Sequence, residues 1–231
     1  MYAGFKGLNM NFPSAARSGG YDNRSLADLE KAAKKSLAEI DELWEKATTY
    51  LSIKKKGGEL EYYPEMEQLS KVLAKELPLL IEVNAAQDII SAIAWAKEKQ
   101  IIPILTGVAE GWKVADKIAA AGIPVITGPV LALPTRDSDK YDAPYNNPAI
   151  LHNAGVKVAL RTMEAENVRN LPFHAGFAAA YGLGTDEALK AITINPAEMF
   201  GLSEQMGSLE EGKNATLFIS DGDPFEPKTQ I

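Results

Sequence analysis

The chain has no cysteine and only two histidines in 231 residues. The first absence excludes disulfides, thiolate nucleophiles and cysteine metal sites, and leaves the compartment open. Positive charge is also scarce, because 24 Lys and Arg face 31 Asp and Glu and leave a formal charge of −7. Nucleic acid and anionic membranes need a basic face, so neither is expected as a partner. The runs Lys34-Lys35 and Lys54-Lys55-Lys56 are short and read as solvated helix ends or loops. No apolar run approaches the roughly 18 residues of a membrane span. The opening MYAGFKGLNMNF lacks the layout of a signal peptide. No glycine-rich phosphate loop of either common pattern follows an apolar segment, which leaves nucleotide binding without a motif.

What is present describes a folded chain. Apolar residues make up 46% and charged residues 24%, ordinary values for a globular protein. A chain of this size buries roughly 70 to 75% of its unfolded surface, so a large core needs no covalent staple. From Ser25, an N-cap residue, Leu26, Leu29, Ala33, Leu37, Ile40, Leu43 and Ala47 recur every three or four positions and predict an amphipathic helix to Tyr50. Pro64 suits the first turn of a second helix that reaches Lys75.

Short apolar strands then alternate with helices. Strands are expected at residues 4–12, 79–83, 101–105, 123–126 and 156–160, with helices over 87–99, 110–121 and 149–153 and a long polar loop over 135–147. Continuous apolar strands joined by helices imply a parallel sheet covered on both faces, hence an α/β fold. The unit spacing fits either a barrel or a doubly wound sheet, and the missing phosphate loops favour the barrel. Helices are expected over 172–182, capped by Thr185 over 185–193, and over 195–200; strands are expected at 206–209 and 215–219.

In that last third the chain resembles the amidohydrolase superfamily, in its imidazolonepropionase- and prolidase-like branch. The motifs are Ala188-Leu189-Lys190-Ala191-Ile192-Thr193-Ile194-Asn195-Pro196-Ala197-Glu198, then Gly207-Ser208-Leu209-Glu210-Glu211-Gly212-Lys213-Asn214-Ala215-Thr216-Leu217, and the ending Asp221-Gly222-Asp223-Pro224. Upstream, Ala85-Ala86-Gln87-Asp88-Ile89 and Val114-Ala115-Asp116-Lys117 resemble the same branch. The resemblance implies a partial (β/α)8 TIM-type barrel over residues 1–203, holding the equivalents of strands four to eight. It also implies that residues 204–231 are strands of a small composite β-sandwich. The chain then reads as the C-terminal part of a longer protein, soluble, and cytoplasmic or periplasmic according to the missing N-terminus.

For the parent protein, the resemblance implies a divalent metal such as zinc, a small-molecule or peptide substrate, and hydrolysis of a C–N bond in an amide, peptide or cyclic amide. Neutral imidazoles and carboxylates would hold the metal, which lowers the pKa of its bound water. The family's first-strand His-x-His has no counterpart here. Where histidines belong on the fifth and sixth strands stand Glu82 to Asn84 and Thr106-Gly107. The eighth-strand aspartate is replaced by Met163, beside Glu164. Lys6 is a candidate for the fourth-strand lysine ligand, and the resemblance implies that a metal site of the usual kind cannot be built from this chain alone. The alternative is a catalytically degenerate homologue that serves as a binding or assembly subunit. Either reading leaves apolar faces to be met by another copy or by the absent N-terminal half.

Within this frame, Glu82, Glu164 and His174 are the catalytic candidates, and Asn84, Thr106, Trp112 and Arg161 the substrate-binding candidates. Strand-end polar groups gather at the mouth of such a fold; the competing reading is that Glu82 and Arg161 pair structurally. His152 is expected in a surface or packing role, and His174 either as a structural imidazole or as a group at the mouth. Trp95 is expected in the core and Trp112 in the core or at the mouth. The long loop with Arg136, Asp137, Asp139, Tyr141 and Asp142 is expected either to cover the site or simply to connect.

Overall fold

A computed structural model describes residues 6–16, 23–59 and 61–230. Its contacts divide the chain into two units, residues 1–103 and 104–231.

In the first unit, β1 (Leu8–Asn11) pairs in parallel with β2 (Leu79–Val83), Leu8 opposite Leu79 and Asn11 opposite Glu82. Strand β2 buries Leu79, Ile81 and Val83 and turns the residues between them toward less buried surroundings. Residues 4 and 5, expected to open β1, lie outside the described residues. Helix α1 (Leu26–Lys55) starts where Ser25 Oγ accepts the Asp28 N–H at 3.1 Å. It buries Leu29, Trp44, Ala47 and Tyr50 and leaves its other faces in solvent, as the amphipathic spacing requires. Helix α2 (Pro64–Leu73) has proline in its first turn. Lys54 at the end of α1 pairs with Glu67 of α2.

Helix α3 (Ala86–Glu98) carries the centre of this unit. The Trp95 ring meets Trp44 edge-on at 5.3 Å and Phe12 at 6.4 Å, arrangements that aromatic quadrupoles favour. Its indole N–H donates to Asp41 at 3.0 Å, and Lys99 reaches the same carboxylate at 2.6 Å. Burial pushes the Asp41 pKa up, but the hydrogen bonds from Lys99 and Trp95 outweigh it and hold the carboxyl below its ordinary value. At the start of α3, buried Asp88 accepts from the Ser14 hydroxyl and ties the segment after β1 to the helix N-terminus.

In the second unit, β3 (Ile104–Gly107), β4 (Val125–Thr127) and β5 (Val158–Leu160) form a parallel ladder, with Leu105 opposite Val125 and Val125 opposite Val158. Every residue of the three strands is buried, the mark of a sheet covered on both faces. They are shorter than the apolar runs suggest, because Ile101, Ile102, Ile123 and Val156 fall before the ladders begin. Helices α4 (Ala115–Ala120), α5 (Ala143–Asn153), α6 (Leu171–Ala178), α7 (Thr185–Ile192) and α8 (Ile194–Met199) complete this unit. The helix expected over 110–121 is divided, with a 3-10 turn at Gly111–Lys113 before α4. Gly122 and Gly155 follow α4 and α5 at positive φ and close the helices.

Three expectations need correction. Helix α5 begins at Ala143, six residues early, because Pro148 is accommodated inside it. Gly184, not Thr185, is the N-cap of α7, and Thr185 already has helical position. Among the described residues, 206–209 and 215–219 form no strand. Their apolar pattern is that of strands, but a strand exists only with a ladder partner; Leu209, Leu217, Phe218 and Ile219 are exposed. No described helix is long and apolar enough to cross a membrane.

Candidate functional site

The C-terminal ends of β3 and β4 are joined by one buried side chain, Asn147 of α5. Its amide nitrogen donates to the Val108 carbonyl at 3.1 Å and the Thr127 hydroxyl at 3.0 Å, and its oxygen accepts the Trp112 N–H at 2.8 Å. Thr127 Oγ1 in turn donates to the Gly107 carbonyl at 2.9 Å. Each group thus has its complement, as buried polar groups require. Beside them, β4 and β5 approach so closely after Thr127 that a Cβ on Gly128, at φ +132°, would lie 2.2 Å from the Arg161 carbonyl oxygen. Only glycine fits there.

Past β3, Glu110 is 1% exposed yet ionisable. Burial of a carboxylate is tolerable only with partners, and two cationic side chains, Arg136 and Lys113, supply them. Arg136 Nε donates to Glu110 Oε1, and its Nη2 donates to Oε2 at 3.3 Å. Lys113 donates to Glu110 at 3.0 Å and lies 2.9 Å from Asp139. Burial would lower the Lys113 pKa, but hydrogen bonds to Asp139 and Glu110 raise it above the ordinary lysine value. The same ammonium sits 4.8 Å from the Trp112 ring centroid, a cation–π contact. Arg136 and Asp139 belong to the β4–α5 loop, so the cluster clasps that loop onto the end of β3.

The root of the loop is fastened separately. His174 on α6 is 5% exposed, and its Nδ1 accepts the Val130 N–H at 3.0 Å and faces the Leu131 N–H at 3.4 Å. Backbone amides can only donate, so Nδ1 carries the lone pair and the ring proton resides on Nε2. Burial lowers the His174 pKa and holds the ring neutral. With Nδ1 used and Nε2 protonated, His174 has no lone pair to offer a metal.

The other candidates are distributed between the two units. In the first, Asn84 donates to Glu82 at 3.4 Å, and Lys6 is exposed and precedes β1, at the N-terminal end of that strand. In the second, Thr106 is buried within β3, Trp112 lies in the 3-10 turn, and Arg161 Nε points to the Gly128 carbonyl at 3.4 Å. Glu164 is exposed and accepts from Asn167. Met163, where the resemblance would put an aspartate, is 58% exposed at φ +73°. His152 is at the surface, 3.9 Å from Glu187. No group of three His, Cys, Asp or Glu that could hold a metal occurs among the described residues. The described residues do not fit a metal site of the usual kind.

Asn147, Thr127, Glu110 and Lys113 were not among the sequence candidates. Glu110 had a signal, a lone carboxylate directly after an apolar strand and before Gly111-Trp112. Asn147 had none, since Asn146-Asn147-Pro148 reads as a loop.

Comparison with known proteins decides the kinship. The profile of the amidohydrolase family matches residues 14–231. The chain belongs to the amidohydrolase family. An amidohydrolase from Thermotoga maritima has a matching fold at TM-score 0.80 and 29% identity, over 97% of this chain and 59% of that one. The architecture is therefore α/β, part of a TIM-type barrel. An imidazolonepropionase of Thermoplasma volcanium is 33% identical over 91 residues, 36% of this chain and 22% of the relative. An N-substituted formamide deformylase of Arthrobacter pascens is 48% identical over 44 residues, 19% of this chain and 8% of the relative. The chain thus spans only a minor part of these two amidohydrolase relatives and about three fifths of the T. maritima structure.

Proposed function

We propose that this amidohydrolase chain is the C-terminal part of a hydrolase acting on C–N bonds of amides, peptides or cyclic amides. The observation that carries the reading is the family match over residues 14–231. Two relatives, named imidazolonepropionase and N-substituted formamide deformylase, support a C–N substrate. In this reading the β4–α5 loop, held by Glu110 and His174, covers the ends of the strands. Trp112 and Arg161 offer a ring face and a guanidinium to a small amide or carboxylate substrate. A divalent metal belongs to the complete protein, with ligands beyond those described.

A second reading has its own support. The engaged Nδ1 of His174, with no metal-holding group of three among the described residues, favours a degenerate homologue that keeps the fold for binding or assembly. Residues 204–231, with Leu209 and Ile219 more than four fifths exposed, would then be a separate module that pairs with another copy or with the rest of a longer protein. The test is turnover by the complete protein of N-formyl amines, imidazolones and X-Pro dipeptides, with added zinc and with chelator. Chelator-sensitive turnover with stoichiometric zinc supports the hydrolase; a complete protein that neither retains zinc nor turns over any of these substrates supports the degenerate homologue.

A further inference from the structure

His174 takes no chemical step in the proposed hydrolysis, yet it is the one imidazole sealed inside the second unit. Its position couples two elements: it sits on α6, and it meets the Val130 and Leu131 amides near the start of the β4–α5 loop that extends to Arg136 and Asp139. We propose that His174 is a positioning residue whose neutral imidazole fastens the β4–α5 loop, and that its protonation in mild acid releases the loop. The fastening stands whether the chain is catalytic or degenerate.

The argument is one of hydrogen-bond polarity. Neutral Nδ1 is an acceptor facing two donors. Protonated, the same atom becomes a third donor, and the Val130 and Leu131 amides are left facing N–H inside a buried site. The ring has no room to exchange that clash for water, being 5% exposed. A buried donor without an acceptor carries a large penalty, and the least costly escape is for the loop to withdraw.

Neighbouring charges do not supply an alternative partner. The elements packed against α6 carry Tyr145 and His152 on α5, Arg169 in the 3-10 turn before α6, Tyr181 after it, and Asp186, Glu187 and Lys190 on α7, and the segment whose Phe225 lies against Gly176 carries Asp223 and Glu226. Strand β5 contributes no ionisable residue. Glu187 is engaged by Lys190 at 2.6 Å and faces His152 at 3.9 Å, and the Tyr145 and Tyr181 rings meet at 5.0 Å. Burial, with no charged neighbour, is the cause of the His174 shift.

The middle of the loop is held by another chemistry, the ion pairs of Glu110 and Lys113 with Arg136 and Asp139. Release at the root alone therefore frees residues 130–135 first, while the ion pairs still restrain the far part.

The test is hydrogen exchange of the full chain at pH values from 7.5 to 4.5, corrected for intrinsic rates, read at the Val130 and Leu131 amides and at α7 as an internal reference. The comparison variant is His174→Asn, whose side-chain oxygen falls near the place of Nδ1 and accepts without titrating. Wild-type protection at Val130 and Leu131 should fall at least tenfold across this range while α7 stays protected, and the variant should show no such fall. Equal pH dependence in both proteins, a flat wild-type profile, or loss of α7 protection at the same pH would each overturn the proposal. Nitrogen chemical shifts of His174 provide a second readout independent of the variant: a proton on Nδ1 at neutral pH would also overturn it.

Discussion

Asn147→Ala is the sharpest perturbation of the site. The carboxamide makes three hydrogen bonds, to Trp112, Val108 and Thr127. At a net worth of about 1 kcal/mol each, their loss amounts to about 3 kcal/mol. The buried Val108 carbonyl is left without that donor and adds to the cost, so 3 to 4 kcal/mol is the expected order. Urea unfolding at pH 7.5 followed by far-ultraviolet circular dichroism reads the loss as a midpoint shift of about 1 M, for a slope near 3 kcal/mol/M. Asn147→Asp is the control for shape. It keeps the acceptor for Trp112 but turns a carboxylate toward the Val108 carbonyl, so it should be at least as unstable as the alanine variant. A loss under about 1 kcal/mol for alanine, or an aspartate variant as stable as the parent, would refute the claim that this amide joins the strand ends.

Gly128→Ala places a methyl against the Arg161 carbonyl at a positive φ and should prevent the β4–β5 approach, giving a chain that unfolds well below the parent in a thermal scan; an unchanged midpoint would deny the close approach. Stability should also fall in mild acid. His174 is depressed in the folded state, so the unfolded chain takes the proton first as pH drops below about 6.5. The contribution is fully present above that value and shrinks below it, with a slope of at most about 1.4 kcal/mol per pH unit. Urea titrations at stepped pH should show this slope in the parent and lack it in His174→Asn.

The strand-helix alternation was legible because a parallel sheet covered on both faces writes itself as continuous apolar runs, such as Ile104-Leu105 and Val158-Ala159-Leu160. The amphipathic α1 was legible by its spacing, and the family by its T-x-N-P-A and G-S-L-x-x-G-K motifs. The strand-end chemistry was not. Asn147 satisfies atoms of residues 108, 112 and 127, and Glu110 is neutralised by residue 136, pairings that only the folded chain creates. His174 was visible as a histidine after the last strand, but its role depends on which of its nitrogens meets Val130. The apolar pattern at residues 215–219 was legible as a strand in form, though a ladder partner is a property of the fold and not of the segment.

The central claim is that this amidohydrolase chain uses its strand-end polar groups to hold the β4–α5 loop and does not offer the buried His174 imidazole to a metal. Zinc content of the 231-residue chain after equilibration and desalting, compared with His174→Asn, tests it most directly. The account predicts far less than one zinc per chain in both proteins. One zinc per chain in the parent, lost in the variant, would contradict it.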